Sequence, residues 1–139
     1  MMVLDTNVLS EAVKPFPSDV VLRWLSEQEP SAIFTTTITQ AEILYGIELL
    51  LPGKRRTRLA VAIEEILTEE FRDRVLPFDD EAARMFARIV SGRHAIGRPI
   101  SQLDAMIAAI ARSKGAALAT RNTADFEHCG IRLIDPFSE

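Results

Sequence analysis

The chain is poor in the residues that bind soft metals or form disulfide bonds. Its 139 residues include one cysteine, Cys129, and two histidines, His94 and His128. A single cysteine excludes an internal disulfide framework and a paired-cysteine metal site, and the histidines have no ligand spacing. Because so few thiols suit a reducing compartment, we expect a cytoplasmic protein.

Long apolar runs and an excess of positive charge are also missing. No uncharged stretch approaches the ~20 apolar residues that cross a bilayer. The opening, MMVLDTNVLSE, has no basic region like that of a secretory signal. The net charge is −4, so the protein does not bind nucleic acid with its whole surface. Local basic patches remain, at Lys54–Arg56 with Arg58, and at Arg93 and Arg98, which as ordinary surface residues would simply be solvated.

Short apolar segments alternate with helical patterns along the chain. We predict strands at 2–4, 32–36, 75–78, 116–120 and 131–134, and helices at 8–14, 19–28, 39–51, 56–70, 80–93 and 101–112. Strands alternating with helices indicate a parallel sheet covered on both faces. With no repeat, low-complexity segment or linker, we expect one α/β domain over residues 1–139.

Acidic residues stand where these elements meet. Asp5 ends the first strand, Glu42 lies in the first turn of the helix after the second strand, and Asp104 begins the helix before the fourth. Asn122 and Asp125 follow the fourth strand. Because sites gather at the carboxyl ends of parallel strands, we expect these residues to share one edge. Carboxylates without histidine or thiolate neighbours point to a hard cation, Mg²⁺ or Mn²⁺.

Simpler roles are open to each acid. Thr39-Gln-Ala-Glu42 and Ser101-Gln-Leu-Asp104 both fit the capping box, in which the acid bonds back to the amide that precedes the helix. Asp5 fits a turn after a strand, and Asp125 a helix start. However, Glu42 and Asp104 stand among apolar residues in helices that we expect to be buried all round. Each would then face a pocket or another charge, and capping is compatible with metal binding.

Four segments, LDTNVLSE, ITQAEILYGIELL, SQLDAMIAAIA and LATRNTADFE, resemble the PIN-domain ribonucleases. More narrowly, they resemble the VapC toxins of bacterial type II toxin–antitoxin pairs, including the FitB-like branch. The resemblance spans essentially the whole chain and implies a three-layer α/β/α fold around a central, mainly parallel five-stranded sheet. It also implies Mg²⁺-dependent endoribonuclease activity, with Mn²⁺ as a substitute, and a homodimer. It further implies inhibition by a cognate VapB-type antitoxin, through which a larger assembly would bind DNA.

Carried over to this sequence, the first three acids of the family fall on Asp5, Glu42 and Asp104. The resemblance implies that Asp5 and Asp104 bind Mg²⁺, and that Glu42 binds a metal or positions the attacking water. The fourth acid of many relatives falls on Asn122, and Asp125, three residues later, is its alternative.

Polar and basic neighbours complete the expected site. Thr6, Asn7, Thr120 and Asn122 are placed to hold the carboxylates, although ordinary turn and strand-end bonding explains the threonines and Asn7 equally well. The candidate contacts for RNA or for acidic groups of a partner are Arg121, Lys54, Arg55 and Arg56.

Other functions use a similar acidic pocket. A phospho-receiver domain would have adjacent acids after the first strand and a lysine after a late strand, whereas Asp5 stands alone and Thr120-Arg121 follow the fourth strand. Another alternative is a catalytically weak or inactive binding module, and the feature that supports it is Asn122 at the fourth acidic position. A DNA-directed nuclease would share the same active-site chemistry.

Overall fold

The computed structural model describes residues 1–138, in which five strands and six helices are found. The strands are β1 (Met2–Leu4), β2 (Ile33–Thr36), β3 (Val75–Leu76), β4 (Ala117–Ala119) and β5 (Leu133–Ile134). The helices are α1 (Thr6–Ala12), α2 (Asp19–Ser26), α3 (Thr37–Glu48), α4 (Lys54–Glu65), α5 (Asp80–Ala95) and α6 (Gln102–Ser113). A π-helical turn, Ile66–Glu70, continues α4, and 3₁₀ turns cover Pro30–Ala32 and Thr123–Phe126.

All strand pairs of the sheet are parallel, in the order β3-β2-β1-β4-β5. The chain builds outward from β1 to β3 and then returns to the other side of β1, so the strand order reverses between β1 and β4. A phospho-receiver has the order 2-1-3-4-5, and that alternative is therefore wrong.

Helices cover both faces of the sheet, as predicted. Successive strand residues point to opposite faces, so Val3 and Leu118 pack with α5 and α6, whereas Leu4 and Ala119 pack with the first four helices. The α/β prediction with three layers is confirmed. Within residues 1–138, no helix combines the length and the hydrophobicity that a bilayer crossing requires.

Three helices, α1, α3 and α4, start two residues earlier than predicted, and in α1 and α3 the reason is that residues at the strand ends serve as their caps. The Asp5 carboxylate accepts a hydrogen bond from the Thr6 amide, so α1 begins at Thr6 and not at residue 8. The Thr36 hydroxyl accepts from the Thr39 amide, so α3 begins at Thr37. Each helix therefore follows its strand directly, which holds its first turn against the edge of the sheet.

Helix α3 is not buried all round, contrary to expectation. It covers the sheet with Thr39, Ile43 and Ile47, but Tyr45 is 65% exposed. Leu49, just after the helix, is 67% exposed. The apolar outer face of α3 is thus left to solvent within this chain.

Candidate active site

Asp5 lies at the point where the strand order reverses. Leu4 of β1 pairs with Ala119 of β4, and the Asp5 amide donates to the Ala119 carbonyl at 2.9 Å. In open α/β sheets this crevice, outside the carboxyl ends of the strands, is where ligands bind. The Asp5 side chain is buried there, with Oδ1 2.8 Å from the Thr6 amide nitrogen.

The second oxygen of Asp5 is held by a polar network from β4 and α1. Asp5 Oδ2 accepts from Thr120 Oγ1 at 2.8 Å and from Asn7 Nδ2 at 3.3 Å. Thr120 Oγ1 in turn accepts from the amide of Asn122 at 3.1 Å and from Asn7 Nδ2 at 3.3 Å. Because a hydroxyl has a single proton, these contacts orient that of Thr120 toward Asp5.

Glu42 reaches the same edge from α3, but not as a cap. Its Oε1 accepts from Thr6 Oγ1 at 2.8 Å, and the Thr39 hydroxyl lies 3.1 Å from Thr6 Oγ1. Since the Thr6 proton is given to Glu42, Thr39 is the donor to Thr6. The predicted Thr39–Glu42 capping box is wrong, because Thr36 caps α3. Glu42 consequently lies in the second helical turn and bonds across to α1.

Asp104 is the third residue of α6 and is half-buried. Ser101 is the N-cap, and its Oγ accepts from the Asp104 amide at 3.3 Å. The serine half of the predicted capping box is therefore present. Ser101 fixes the start of α6. The charge of Asp104 acts on Asp5, and the charge of Asp125 acts on Asp104.

Asn122 and Asp125 are both exposed, at either end of a short turn after β4. Asn122 joins the network through its backbone amide, which donates to Thr120. The carbonyl of Asp125 accepts from Arg93 Nη1 at 2.9 Å. Asp125 acts on the site through its charge, because that charge raises the pKa of Asp104.

The acids influence one another through space. Burial raises the pKa of Asp5 to about 6, hydrogen bonds from Thr120 and Thr6 oppose the rise, and the charges of Asp104 and Glu42 add to it. Burial likewise raises the pKa of Asp104, against a hydrogen bond with Ser101; Asp125 adds to that rise and Arg93 opposes it. Asp5, Glu42, Asp104 and Asp125 therefore form one electrostatic cluster.

The donor set of this cluster is consistent with a hydrated hard cation. Among residues 1–138, no three His, Cys, Asp or Glu side chains enclose a metal position by themselves. No lysine or arginine in that range forms an ion pair with Asp5, Glu42 or Asp104. Mg²⁺ keeps several waters and takes only one or two carboxylates. The residues present fit such a cation and do not form a closed protein cage.

A groove of about 590 Å³ leads away from the acids between α1, α3 and α4. Thr6 and Glu42 line one part of this groove, and Ile43 and Leu59 form an apolar wall. The basic residues that line the groove are Lys14, Arg55 and Arg58. The structure divides the predicted basic cluster, because Lys54 is simply exposed and Arg56 pairs with Glu48 at 2.7 Å. Arg121 is held by Glu11 and Phe137.

Three polar residues near the site had no predicted role there. Thr39 supports Thr6, Glu11 binds Arg121, and Arg93 holds the turn of Asp125. Helical spacing contained a signal for two of them, because Thr39 precedes buried Ile43 by four residues and Arg93 follows buried Ile89 by four. The interpretation of Arg93 as a solvated surface residue is wrong, since it points into the protein and is 4% exposed.

The fold and this acidic edge define a class of α/β proteins with a carboxylate site at the strand-order reversal. The profile of the PIN domain matches residues 2–130. The chain belongs to the PIN-domain family, in the group that contains VapC and FitB.

Similar proteins match along the whole chain. The VapC ribonuclease Y4jK of Sinorhizobium fredii is 38% identical over 137 residues, covering 99% of this chain and 98% of that protein. Toxin FitB of Neisseria gonorrhoeae is 34% identical over 139 residues, covering 100% of both. The crystal structure of FitAcB from the same species superposes with a TM-score of 0.94, at 34% identity and 100% coverage of both chains. FitAB bound to an IR36 DNA fragment gives the same TM-score and identity, covering 100% of this chain and 97% of that one.

Proposed function

We propose that this chain is a metal-dependent endoribonuclease toxin that a cognate antitoxin inhibits. The observation that carries the proposal is the Asp5 carboxylate, which is buried at the strand-order reversal with its pKa raised to about 6 and no cationic partner within residues 1–138. A buried acid in this state is typical of a functional site. Similarity to a protein named VapC ribonuclease supports RNA as the substrate.

Within this proposal the acids divide the work. Asp5 and Asp104 would hold Mg²⁺ or Mn²⁺ directly, and Glu42 would hold a metal or accept a proton from the attacking water. When bound, the cation neutralises charge on the scissile phosphate and makes a water more nucleophilic. Thr6 donates to Oε1 of Glu42, and no donor within residues 1–138 contacts Oε2, so Oε2 is the oxygen better placed to accept the proton. Cleavage would leave a 5′-phosphate and a 3′-hydroxyl.

The fourth acidic position is proposed for Asp125, acting through its charge on Asp104. Thr120 and Asn7 keep the Asp5 carboxylate oriented, and Thr6 does the same for Glu42. Asn122 contributes its backbone amide to Thr120. Of the basic candidates, Arg55 is the one that lines the groove beside Glu42 and would contact RNA or a partner.

We propose a VapB-type antitoxin, RNA and a second copy of the chain as partners. FitAcB and the DNA-bound FitAB support an assembly in which the antitoxin brings the toxin to DNA. The exposed apolar side chains around α3 and α4 are the surface that such partners would cover: Tyr45, Leu49, Leu51 and Val61.

Cleavage of RNA by the antitoxin-free protein tests the proposal. We expect wild-type protein to cut structured RNAs with Mg²⁺ or Mn²⁺ and to stop when EDTA is added. Asp5→Asn and Asp104→Asn should each abolish cleavage, because each removes a proposed ligand. Asp80→Asn is the matched control, since Asp80 is an exposed acid on α5 paired with Arg84.

Three results would overturn the proposal in whole or in part. Folded wild-type protein that cuts no RNA with either metal would favour the inactive binding module, to which Asn122 points. Cleavage that survives Asp5→Asn would move the chemistry away from the strand-order reversal. Cutting of DNA in preference to RNA would keep the site but replace the substrate.

A further inference from the structure

Arg93 is a buried cation without a carboxylate partner. It lies in the last turn of α5 and is 4% exposed. No Asp or Glu side chain in residues 1–138 approaches its guanidinium within ion-pair distance. Buried charges are costly unless they are paired or fully hydrogen-bonded. The hydrogen bonds of this side chain must therefore compensate for its burial.

Nε and Nη1 of the guanidinium donate to two segments, mainly to their backbone carbonyls, and Nη1 also lies 3.6 Å from Cys129 Sγ. Nε donates to the Arg98 carbonyl at 2.6 Å, and Nη1 donates to the carbonyls of Asp125 at 2.9 Å and Glu127 at 3.1 Å. The Arg98 amide also donates back to the Arg93 carbonyl at 2.9 Å. One planar group thus fastens the loop after α5 to the turn after β4.

Both segments lead to acids of the proposed active site. Arg98 stands three residues before Ser101, the N-cap that fixes the start of α6 and the amide of Asp104. The second segment contains Asp125 itself. Asp104 and Asp125 come from different elements, and Arg93 is bonded to the carbonyl of Asp125 itself and to that of Arg98, which stands six residues before Asp104. A guanidinium has the fork geometry for this, whereas a lysine ammonium does not.

We propose that Arg93 is a positioning residue, which holds the start of α6 and the Asp125 turn in register so that Asp104 and Asp125 act together in catalysis. The inference rests on the proposed nuclease function, and it assigns Arg93 no contact with substrate or metal. Arg93 acts through backbone carbonyls, in the manner of outer contacts that orient active-site groups.

The test uses Arg93→Met and Arg93→Lys, with Arg88→Met as the control. Arg88 is an exposed arginine on the same helix. Amide hydrogen exchange of the metal-free proteins and the kcat and KM for RNA cleavage are measured. For Arg93→Met we expect exchange about 10-fold faster or more, confined to residues 97–101 and 123–129. We also expect kcat about 10-fold lower or more, with little change in KM. Arg93→Lys should fall between Arg93→Met and wild type, and Arg88→Met should match wild type.

Two results would overturn the inference. One is exchange that rises evenly through the protein, or not at all, since Arg93 would then be a general core residue. The other is a loss that appears in KM alone, which would assign Arg93 to RNA binding. If Arg93→Met does not fold, Arg93→Lys decides through the same measurements. A wild-type protein without RNase activity would refute the proposed function, and the exchange pattern would still show whether Arg93 holds the two segments.

Discussion

Two buried carboxylates at opposite ends of α1 differ in their electrostatics. Asp5 precedes the helix and is 5% exposed; Glu11 lies in its last turn and is 7% exposed. The pKa of Asp5 is raised to about 6, chiefly by burial. The pKa of Glu11 is lowered, chiefly by its hydrogen bond with Lys14. Similar exposure therefore accompanies pKa shifts of opposite direction.

The neighbours of Glu11 explain its stability as an anion. Lys14 Nζ lies 3.0 Å from Oε1, the Ser18 amide donates to Oε2 at 3.0 Å, and Arg121 Nη2 lies 3.5 Å from Oε1. The Arg121 guanidinium is also 3.8 Å from the ring centre of Phe137. Glu11 is thus neutralised by its own chain, and it ties α1 to the segment after β4 and to the end of the chain.

The neighbours of Asp5 are hydroxyls, amides and other acids. Thr120 and Asn7 orient its carboxylate, but Glu42 and Asp104 oppose its ionisation. A burial cost that the folded chain does not offset is tolerated where a ligand offsets it. The comparison shows that burial alone does not single out a candidate site acid, whereas burial without a cationic partner does.

Thr120→Val would remove one of the hydrogen bonds that orient the Asp5 carboxylate. Thr120 is fully buried and donates to Asp5 Oδ2. Valine keeps the shape but removes the donor, so we expect kcat for RNA cleavage to fall about 10-fold or more. The lost hydrogen bond also raises the pKa of Asp5 further, which should shift the acidic limb of the pH–rate profile upward.

Thr35→Val is the control for this change, because Thr35 is an equally buried threonine of β2 whose hydroxyl donates to the Leu4 carbonyl. It should leave kcat and the pH profile unchanged. If both variants lose activity equally, the loss reflects the sheet as a whole and not the bond to Asp5.

Local sequence patterns predict most of the architecture. Short apolar strands and long helical periods indicated the parallel sheet, and the strand ends Leu4 and Ala119 located the edge where Asp5 lies. Ser101 is predictable as a cap because a serine three residues before an acid is a local signal.

The contacts between distant segments were not predictable in the same way. Thr39-Gln-Ala-Glu42 has the spacing of a capping box, yet Glu42 bonds to Thr6, 36 residues earlier. Arginine is a residue type that usually lies at the surface. Only the packing of α5 shows that Arg93 faces the carbonyls of residues 125 and 127. A local motif reports hydrogen bonds within one helix turn, whereas these bonds depend on how the helices meet.

The contributions of Asp5 and Glu11 to folding stability should change with pH in opposite directions. Native Asp5 keeps its proton up to about pH 6, whereas the unfolded chain releases it near the ordinary value of 3.8. Between these values the native state binds more protons, so stability is lost as the pH rises, by ~3 kcal/mol in total. We expect this in EDTA, as the difference between wild type and Asp5→Asn in denaturant unfolding from pH 3.5 to 7.5.

A bound cation should restore the folding stability that is lost as Asp5 ionises. Mg²⁺ at pH 7.5 should raise the Tm of wild type and not of Asp5→Asn, because a ligand stabilises only the state that binds it. A wild-type curve parallel to that of Asp5→Asn across this range would mean that Asp5 titrates normally and that the contrast with Glu11 does not exist.

Glu11→Gln should give a smaller effect of the opposite sign. Because the native pKa of Glu11 is lowered, its contribution to stability is present above its ordinary pKa and lost as the pH falls through the native value. Glutamine still accepts from Ser18 but attracts neither Lys14 nor Arg121. The Tm should therefore drop at neutral pH and approach the wild-type value in acid. The drop should be modest, since Lys14 and Arg121 are half-exposed and solvent screens their charges.

The kcat for RNA cleavage should not change in Glu11→Gln, because Glu11 holds the scaffold. A variant that stays fully stable yet loses kcat would place Glu11 in the chemistry beside Asp5.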